Sequence, residues 1–255
     1  MNENAFAEII ARLALEHPHL AAAFEELPVQ SRKDLAKIAS IRRCDCGGTL
    51  LNDGEASDQI GYVLSGTLGM VKVLPDGRRH IIGILLPSDM FGRVLDGPMG
   101  YSVEALSDTR LLCFEQESLA KLLEDNPDLE RHYLVSILDE LDAAREWTLL
   151  LSGTRVVQRI AAFLVILARR RVRNLGGAFP KGTVVRLPLG RADISRCLGV
   201  RPESLSKALH RLQDDEVIII IDPATFRILD AAALVAASGQ ELVLGPAAGE
   251  TRSMG

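Results

Sequence analysis

The chain has 255 residues, of which 47% are hydrophobic and 25% charged, proportions typical of a globular protein large enough for two modest domains. No apolar run reaches membrane-spanning length, and the N-terminus lacks the basic stretch and apolar core that mark a secretory signal. These features predict a cytoplasmic protein, whose four cysteines are expected to be free, metal-bound or redox-active rather than joined in structural disulfides.

The net charge of −5 is unevenly distributed along the chain. Residues 152–227 carry 14 lysines and arginines against 6 aspartates and glutamates, whereas residues 1–151 carry 14 against 25. Because binding to nucleic acid draws affinity from neutralised phosphates, the basic segment is the predicted docking region for a polyanion. The alternative, a basic surface that is merely solvated, is left open by charge alone.

The N-terminal half changes from a helical to a β-rich pattern. Residues 1–39 are predicted to be helical, with breaks at Pro18 and Pro28. From Ser40 to Phe114, short β-rich runs alternate with glycine-containing turns, which predicts a small β-barrel or roll. The clearest runs are Tyr62–Leu64, Gly69–Leu74 and His80–Leu86. Residues 115–126 are again predicted to be helical.

A single long helical pattern runs from Pro127 to about Gly153. Its apolar surface is wider than a helix packed on one side requires, so one face can cover the roll while the other meets a partner helix as a short coiled coil. The alternative is a helix buried wholly within its own domain. Dimerisation is the predicted outcome, through Leu134, Ile137, Leu138, Leu141, Arg145 and Thr148.

The most informative segment is residues 189–215. A short helical pattern precedes Gly199, and a second begins at Pro202, a residue suited to the first helical position. Apolar residues of the second pattern recur at helical spacing: Leu205, Leu209 and Leu212. Two amphipathic helices joined by a tight turn are typical of a helix-turn-helix, whose second helix enters the DNA major groove.

β-rich runs flank this segment. Val184–Leu187 predicts a strand, and Val217–Ile221 and Phe226–Leu229 predict a hairpin wing beside the recognition helix. The predicted domains are residues 1–126 for the N-terminal helices and the roll, 127–151 for the dimerisation helix, 152–238 for the winged helix-turn-helix and 239–255 for a mobile tail.

In this order the elements resemble the Crp/Fnr superfamily of bacterial transcription regulators over about residues 30–230. The motifs that carry the resemblance are the Gly54-Glu55 turn, Tyr62–Gly66, the Asp76-Gly77-Arg78 hairpin, the Leu86–Gly92 corner and Leu187–Leu212. The segment Leu138–Trp147 looks most like the Fnr-like (FnrL) branch. The resemblance implies an α+β fold with a cyclic-nucleotide-binding-like β-roll, and a homodimer that binds double-stranded DNA and RNA polymerase.

The resemblance also bears on the effector. Cyclic-AMP-binding members follow the Phe-Gly corner with a glutamate for the ribose, and later carry an arginine that neutralises the cyclic phosphate. Here the corner reads Phe91-Gly92-Arg93, and Pro98–Val103 contains no Arg-Ser or Arg-Thr pair. Cyclic AMP is therefore not the expected effector.

The cysteines leave several redox or metal sites open. Oxygen-sensing Fnr members hold a [4Fe–4S] cluster with four cysteines, and Cys113 matches the fourth, but residues 1–43 contain no cysteine. Cys44 and Cys46 lie beside Arg42-Arg43, whose positive field is expected to lower the thiol pKa. A cluster, another metal, a reversible disulfide and incidental surface thiols all remain possible. Cys113 and Cys197 are interpreted as buried core residues.

The resemblance assigns the DNA-reading residues by position. Fnr-type members use the pattern Glu-x-x-Ser-Arg, matched here by Glu203, Ser206 and Lys207, and bind palindromes of the TTGAT–ATCAA type. Lysine reaches guanine as a point charge without the planar fork of arginine. Arg201 cannot cap the recognition helix and is predicted to contact phosphate. The full predicted set of DNA contacts is Arg191, Ser195, Arg201, Glu203, Ser206 and Lys207.

The predicted function is a homodimeric DNA-binding regulator that responds to a redox or gaseous signal. The alternative is a Crp/Fnr-type regulator with no small-molecule effector, controlled by its abundance. An enzyme is not predicted, because the sequence contains no nucleophile–His–acid arrangement, phosphate-cradling loop or metalloprotease motif.

Overall fold

In the computed structural model, which describes residues 3–16, 18–94, 97–171 and 179–239, the chain divides into two units, Met1–Ala144 and Arg145–Gly255. The first unit begins with three helices, α1 (Glu3–Glu16), α2 (Pro18–Glu25) and α3 (Val29–Ile38). Pro18 opens α2 and Pro28 is the N-cap of α3, positions where a missing backbone N–H costs little. The predicted helices and their breaks are confirmed.

The β-roll follows. Its strands are β1 (Ala39–Cys44), β2 (Thr49–Leu51), β3 (Gln59–Ser65), β4 (Leu68–Val73), β5 (Arg79–Leu85), β6 (Met90–Phe91), β7 (Ser102–Ala105) and β8 (Thr109–Glu115). They form two antiparallel sheets within the described residues, in the orders β1-β8-β3-β6 and β2-β7-β4-β5. At the corner after β6, Gly92 has a φ of 84°, and a Cβ there would lie 2.4 Å from the Gln59 carbonyl oxygen, so only glycine fits.

Alternate residues of the central strands face two different cores, because successive side chains of a strand point to opposite faces. Leu111 and Cys113 of β8 face the interior of the roll, whereas Leu112 and Phe114 face the helices. The interior is filled by apolar side chains from both sheets: Leu51, Val63, Leu68, Leu85, Phe91, Met99, Val103, Ala105, Leu111 and Cys113.

Two helices follow the roll, α4 (Gln116–Asp125) and the long helix α5 (Pro127–Ser152). Leu129 of α5 is buried in the helix-facing core of the roll, and Tyr133 and Ile137 pack against it, half-buried. The long helix expected from Pro127 is therefore present, and one of its faces covers the roll.

The second unit contains α6 (Val156–Arg171), β9 (Val184–Arg186), α7 (Arg191–Cys197), α8 (Pro202–Asp214), β10 (Ile218–Asp222), β11 (Thr225–Ile228) and α9 (Ala231–Ser238). Trp147, near the end of α5, meets Phe163 of α6 edge-to-face, with ring centroids 6.3 Å apart. The strands form an antiparallel sheet in the order β10-β11-β9, which is the predicted strand and wing. The predicted tail lies outside the described residues apart from Gly239.

Strand β10 lies at an edge of this sheet. The side chains of Ile219 and Ile221 are 39% and 48% exposed. Between them, the backbone N–H of Ile220 donates to Oε1 of Gln213, a residue of α8, at 3.0 Å. The recognition helix therefore occupies a backbone donor of the wing.

Candidate nucleic-acid interface

The helix-turn-helix is formed by α7 and α8. Gly199, in the turn, has a φ of 61°, the left-handed conformation that glycine adopts without strain. The apolar residues at helical spacing are all buried, and they hold the two helices together: Ile194, Leu198, Leu205, Leu209 and Leu212. The apolar residues whose spacing predicted the motif therefore form its hydrophobic core.

The N-terminus of α8 presents polar residues to solvent. Glu203 and Lys207 are exposed and Ser206 is half-buried, and their spacing of three and four residues places them on one face. Arg201 is the N-cap, with φ −79° and ψ 145°, and across the described residues 179–239 its side chain makes no capping hydrogen bond. The positive end of the helix dipole and its free N–H groups are thus open to an anion.

Arg191, at the start of α7, joins the recognition helix to the wing. Its Nε donates to the carbonyl oxygen of Pro223 at 2.8 Å, and its Nη1 donates to Oγ of Ser206 at 3.4 Å. The wing turn is also held by the N–H of Leu187, which donates to the Ala224 carbonyl oxygen at 2.8 Å. Arg191 therefore connects the face of α8 that carries Ser206 to the wing turn.

The prediction for Ser195 is corrected by the structure. Its side chain is 1% exposed, and its hydroxyl donates to the carbonyl oxygen of Arg191 at 2.7 Å. A hydroxyl bonded inside α7 does not reach a base or a phosphate. The sequence pattern missed this because a serine at a buried helical position is indistinguishable, by residue type, from one on the surface.

The second unit carries several exposed cations, some on α8 and others on the loop and strands of the wing sheet. They include Lys181, Arg186, Arg201, Lys207, Arg211 and Arg227. Arg196 is also exposed but is paired with Asp193, and Arg211 lies 3.8 Å from Asp215. Exposed ion pairs of this kind hold their partners weakly, so the surface remains suited to a polyanion.

In the first unit, the corner that binds ribose in cyclic-nucleotide sensors has a different arrangement. Nη1 of Arg93 donates to the carbonyl oxygen of Pro98 at 3.0 Å, so the side chain folds back onto its own loop. The apolar side chains of both sheets occupy the interior of the roll. Within residues 86–94 and 97–103, which the structure describes here, Arg93 is the only arginine, and its guanidinium is bonded to the Pro98 carbonyl.

The four cysteines differ in exposure. Cys113 is 2% exposed, and burial raises the pKa of its thiol to about 12. Burial likewise raises the pKa of Cys197 to about 11. Both are core residues, as predicted. Cys44 is half-buried and Cys46 is exposed, with its thiol donating to the Leu106 carbonyl oxygen at 3.4 Å.

The expected activation of Cys44 by Arg42-Arg43 is wrong. Burial raises the pKa of the Cys44 thiol, the negative charge of Asp45 raises it further, and the opposing effect of Arg42 is smaller. In the described ranges, no three histidine, cysteine, aspartate or glutamate side chains converge on a possible metal position. A [4Fe–4S] cluster needs four ligands, so the described residues do not fit one.

Comparison with known proteins agrees with this arrangement. Residues 41–126 match the model of the cyclic nucleotide-binding domain, and residues 158–237 match that of the Crp-like helix-turn-helix domain. The chain is 32% identical over 211 residues to the transcriptional activator protein FnrL of Cereibacter sphaeroides, an alignment that covers 81% of this chain and 84% of that relative. The chain belongs to the Crp/Fnr family of transcription regulators.

Other members of the Crp/Fnr family support the assignment. The nitrogen fixation regulation protein FixK of Bradyrhizobium diazoefficiens is 32% identical over 193 residues, covering 73% of this chain and 80% of that relative. The structure of FixK2 from Bradyrhizobium japonicum superposes with a TM-score of 0.66 at 26% identity, covering 78% of this chain and 97% of that one. The predicted family, the α+β fold and the assignment as a DNA-binding regulator rather than an enzyme are confirmed.

The long helix of this Crp/Fnr regulator has an exposed apolar stripe. Leu134, Leu138 and Leu141 are 53%, 59% and 44% exposed, and Arg145 and Thr148 continue the stripe as exposed residues. Ile137, also predicted at the dimer interface, instead packs half-buried against the core of the roll. None of the described helices is long and apolar enough to cross a lipid bilayer.

Arg159 of α6 is a residue that sequence reasoning missed. Its Nε donates to the Gly153 carbonyl oxygen at 2.8 Å, and its Nη1 donates to the carbonyl oxygens of Leu198 and Gly199 at 3.1 and 3.3 Å. It thereby ties the end of the long helix to the turn between α7 and α8. The sequence gives no signal for it, because all three partners are backbone carbonyls and two of them lie 39 and 40 residues away.

Proposed function

We propose that this Crp/Fnr regulator is a homodimer that binds a palindrome of the TTGAT–ATCAA type and activates transcription through contact with RNA polymerase, in the cytoplasm. The observation that carries the proposal is the exposed face of α8, where Glu203, Ser206 and Lys207 stand together at the N-terminus of the recognition helix. Activation is proposed because the FnrL relative is named as a transcriptional activator.

Each of the three residues has a distinct role in reading DNA. Glu203 accepts a hydrogen bond from the amino group of cytosine, and Ser206 contacts a neighbouring base edge. Lys207 donates to the guanine acceptors as a point charge, and Arg201, at the N-cap, contacts phosphate. This set distinguishes base pairs in the major groove, where each pair presents a different pattern of donors and acceptors.

The exposed leucines of α5 support the homodimer. Leu134, Leu138 and Leu141 follow one another at intervals of four and three residues, the spacing of a coiled-coil seam. Side chains of this size are seldom left in a row on the surface of a monomer, and burial of the stripe against its own copy removes it from water. Two recognition helices related by a two-fold axis then match the two halves of a palindrome.

The experiment that tests this proposal is fluorescence anisotropy with a duplex carrying TTGAT–ATCAA, against a duplex with both half-sites scrambled. We expect a preference for the palindrome of at least about a thousand-fold at physiological salt. Sedimentation velocity at micromolar protein is expected to show a dimer. Equal binding to the two duplexes would refute the operator, and a monomer would refute the dimer.

For the signal, we propose a thiol response carried by Cys46 together with Cys44. The support is the exposure of Cys46, since its thiol is accessible to an oxidant while the thiols of Cys113 and Cys197 are buried. Oxidation of the pair to a disulfide transfers two electrons and two protons to the oxidant. In a reporter strain, replacement of both by serine is expected to abolish the response to a thiol oxidant, and a full response in that variant would refute the proposal.

One observation favours the second candidate, a regulator without a small-molecule effector. In residues 41–126, which match the cyclic nucleotide-binding domain, the interior of the roll is filled by apolar side chains of both sheets. In this case the double serine variant and the unmodified protein are expected to give the same reporter output at equal protein abundance, with and without oxygen.

A further inference from the structure

The guanidinium of Arg191 lies where three elements of the second unit meet. It belongs to the first turn of α7, and it donates to Oγ of Ser206 on α8 and to the carbonyl oxygen of Pro223 in the wing turn. The side chain is half-buried rather than extended into solvent. At least two of its five N–H donors are therefore directed into the protein.

We infer that Arg191 is a positioning residue that sets which base edges the Ser206 hydroxyl can bond, and that it is not a phosphate contact; this inference rests on the proposed function. A serine hydroxyl has one proton to donate and two lone pairs that accept. Because the cationic Arg191 occupies a lone pair of Oγ, the approach of a second donor, such as the amino group of adenine or cytosine, is disfavoured. The hydroxyl is left as a donor.

A donor at Ser206 selects base-edge acceptors in the major groove. These are N7 and O6 of guanine, N7 of adenine and O4 of thymine. Glu203, three residues earlier on the same face, is by contrast only an acceptor. Arg191 thus gives two neighbouring residues of α8 opposite roles in hydrogen bonding. Glu203 accepts from a base edge, and Ser206 donates to one.

The bond to Pro223 fixes the direction from which Arg191 reaches Ser206. The wing turn is itself held by Asp222, whose Oδ1 accepts from the Ala224 N–H at 2.8 Å, and by the Leu187 N–H bonded to the Ala224 carbonyl oxygen. A guanidinium donates along several fixed directions at once, whereas an ammonium is a compact point charge on a flexible stem. Lysine at position 191 keeps the charge but cannot hold both contacts in this geometry.

The decisive variant is therefore Arg191→Lys, compared with Ser206→Ala and with the double variant. The probes are a duplex carrying TTGAT–ATCAA and a set of duplexes that each change one base pair of one half-site. Arg201→Lys serves as the matched control, since Arg201 is exposed and proposed to contact phosphate. Thermal unfolding of each variant checks that the domain is folded.

We expect Arg191→Lys to reduce discrimination at the base pair opposite Ser206 by about three- to ten-fold and to leave the other positions unchanged. Ser206→Ala is expected to relax the same position, and the double variant to add nothing to Ser206→Ala. Arg201→Lys is expected to leave the pattern of discrimination intact.

Three results would overturn the inference. If Arg191→Lys kept the full wild-type pattern of base-pair discrimination, the positive charge alone would be sufficient. Arg191 would then be assigned to a phosphate contact. A uniform loss across all duplexes would give the same conclusion, and so would additive effects in the double variant. Absence of any preference for the palindrome in the unmodified protein would refute the proposed function and the inference together, which distinguishes that failure from the others.

Discussion

The hydroxyl groups of Tyr62 and Ser136 lie 3.0 Å apart and join the centre of the β-roll to the long helix α5. The chain has three tyrosines, and the other two make the same connection. The backbone N–H of Val94 donates to the Tyr133 hydroxyl at 3.2 Å, and the Tyr101 hydroxyl bonds to the Glu140 carboxyl, whose pKa is raised mainly by burial. Three phenol hydroxyls of the first unit therefore take part in hydrogen bonds that join the roll to α5.

Replacement of Tyr62 by phenylalanine tests this connection. The ring keeps its edge-to-face contact with Phe24, at a centroid distance of 5.6 Å, while the bond to Ser136 is lost. We expect the free energy of unfolding in urea to fall by about 1 kcal/mol. Ser136→Ala is expected to act through the same bond, so the double variant should lose less than the sum of the two single losses. Strictly additive losses would show that the two hydroxyls are not coupled.

Leu138→Glu is expected to separate the dimer, because a carboxylate at the centre of the leucine stripe cannot be buried against its own copy without a large desolvation cost. The matched control is Val29→Glu on α3, since Val29 and Leu138 are both 59% exposed. Sedimentation velocity and operator binding are measured for both. If Leu138→Glu remained a dimer, the dimer interface would have to lie outside this stripe of α5.

Glu203→Ala is expected to relax the preference at one base pair and to cost about 1–3 kcal/mol at the cognate site. Arg201→Ala should weaken binding to all sequences alike and reduce the salt dependence, because one fewer counterion is released. Lys207→Arg is expected to sharpen the preference for guanine by restoring the bidentate fork. The measurement is binding to single-base operator variants at two salt concentrations. If Glu203→Ala weakened binding to every operator variant equally, α8 would not read the bases as proposed.

The thiols are expected to react in the order of their exposure. In the native protein a maleimide should modify Cys46 first and Cys44 more slowly, whereas Cys113 and Cys197 should react only after unfolding. Mass spectrometry of peptides after timed quenching identifies the modified residue. Rapid modification of Cys113 in the folded protein would contradict its burial.

The same burial predicts a dependence of stability on alkaline pH. The pKa of Cys113 is about 12 in the folded protein, above the ordinary value of 9.0, so the fold favours the protonated thiol. Its contribution is fully present below pH 9.0 and is lost as the pH rises towards 12. Cys113→Ala is therefore expected to be less sensitive to pH across this interval, in urea unfolding curves recorded at several pH values.

The helix-turn-helix could be predicted because its signals are local. The leucines of α8 and the turn at Gly199 lie within one short segment, and helical spacing alone places them in the core. The runs Tyr62–Leu64 and Gly69–Leu74 were similarly recognisable as strands of the roll, since β-rich residues there are bounded by turns. Local periodicity was sufficient for these elements.

Contacts between distant residues could not be predicted in this way. The bond from Tyr62 to Ser136 spans 74 positions, and that from Arg191 to the Pro223 carbonyl spans 32. The burial of Ser195 and the raised pKa of Cys44 likewise depend on neighbours that the tertiary fold supplies. Charge near a cysteine in the sequence, as at Arg42-Arg43, is a poor guide once the thiol is partly removed from water.

The bond between Gln213 and the Ile220 N–H has a consequence for the behaviour of the protein at high concentration. A run of isoleucines on a strand at the edge of a sheet is a template for strand addition by another chain, the first step of aggregation. Gln213 occupies a backbone donor that an incoming strand would use, so α8, the proposed recognition helix, also opposes strand addition at this edge. Changes to the C-terminal part of α8 made to alter DNA binding will therefore also alter the tendency of the wing to aggregate.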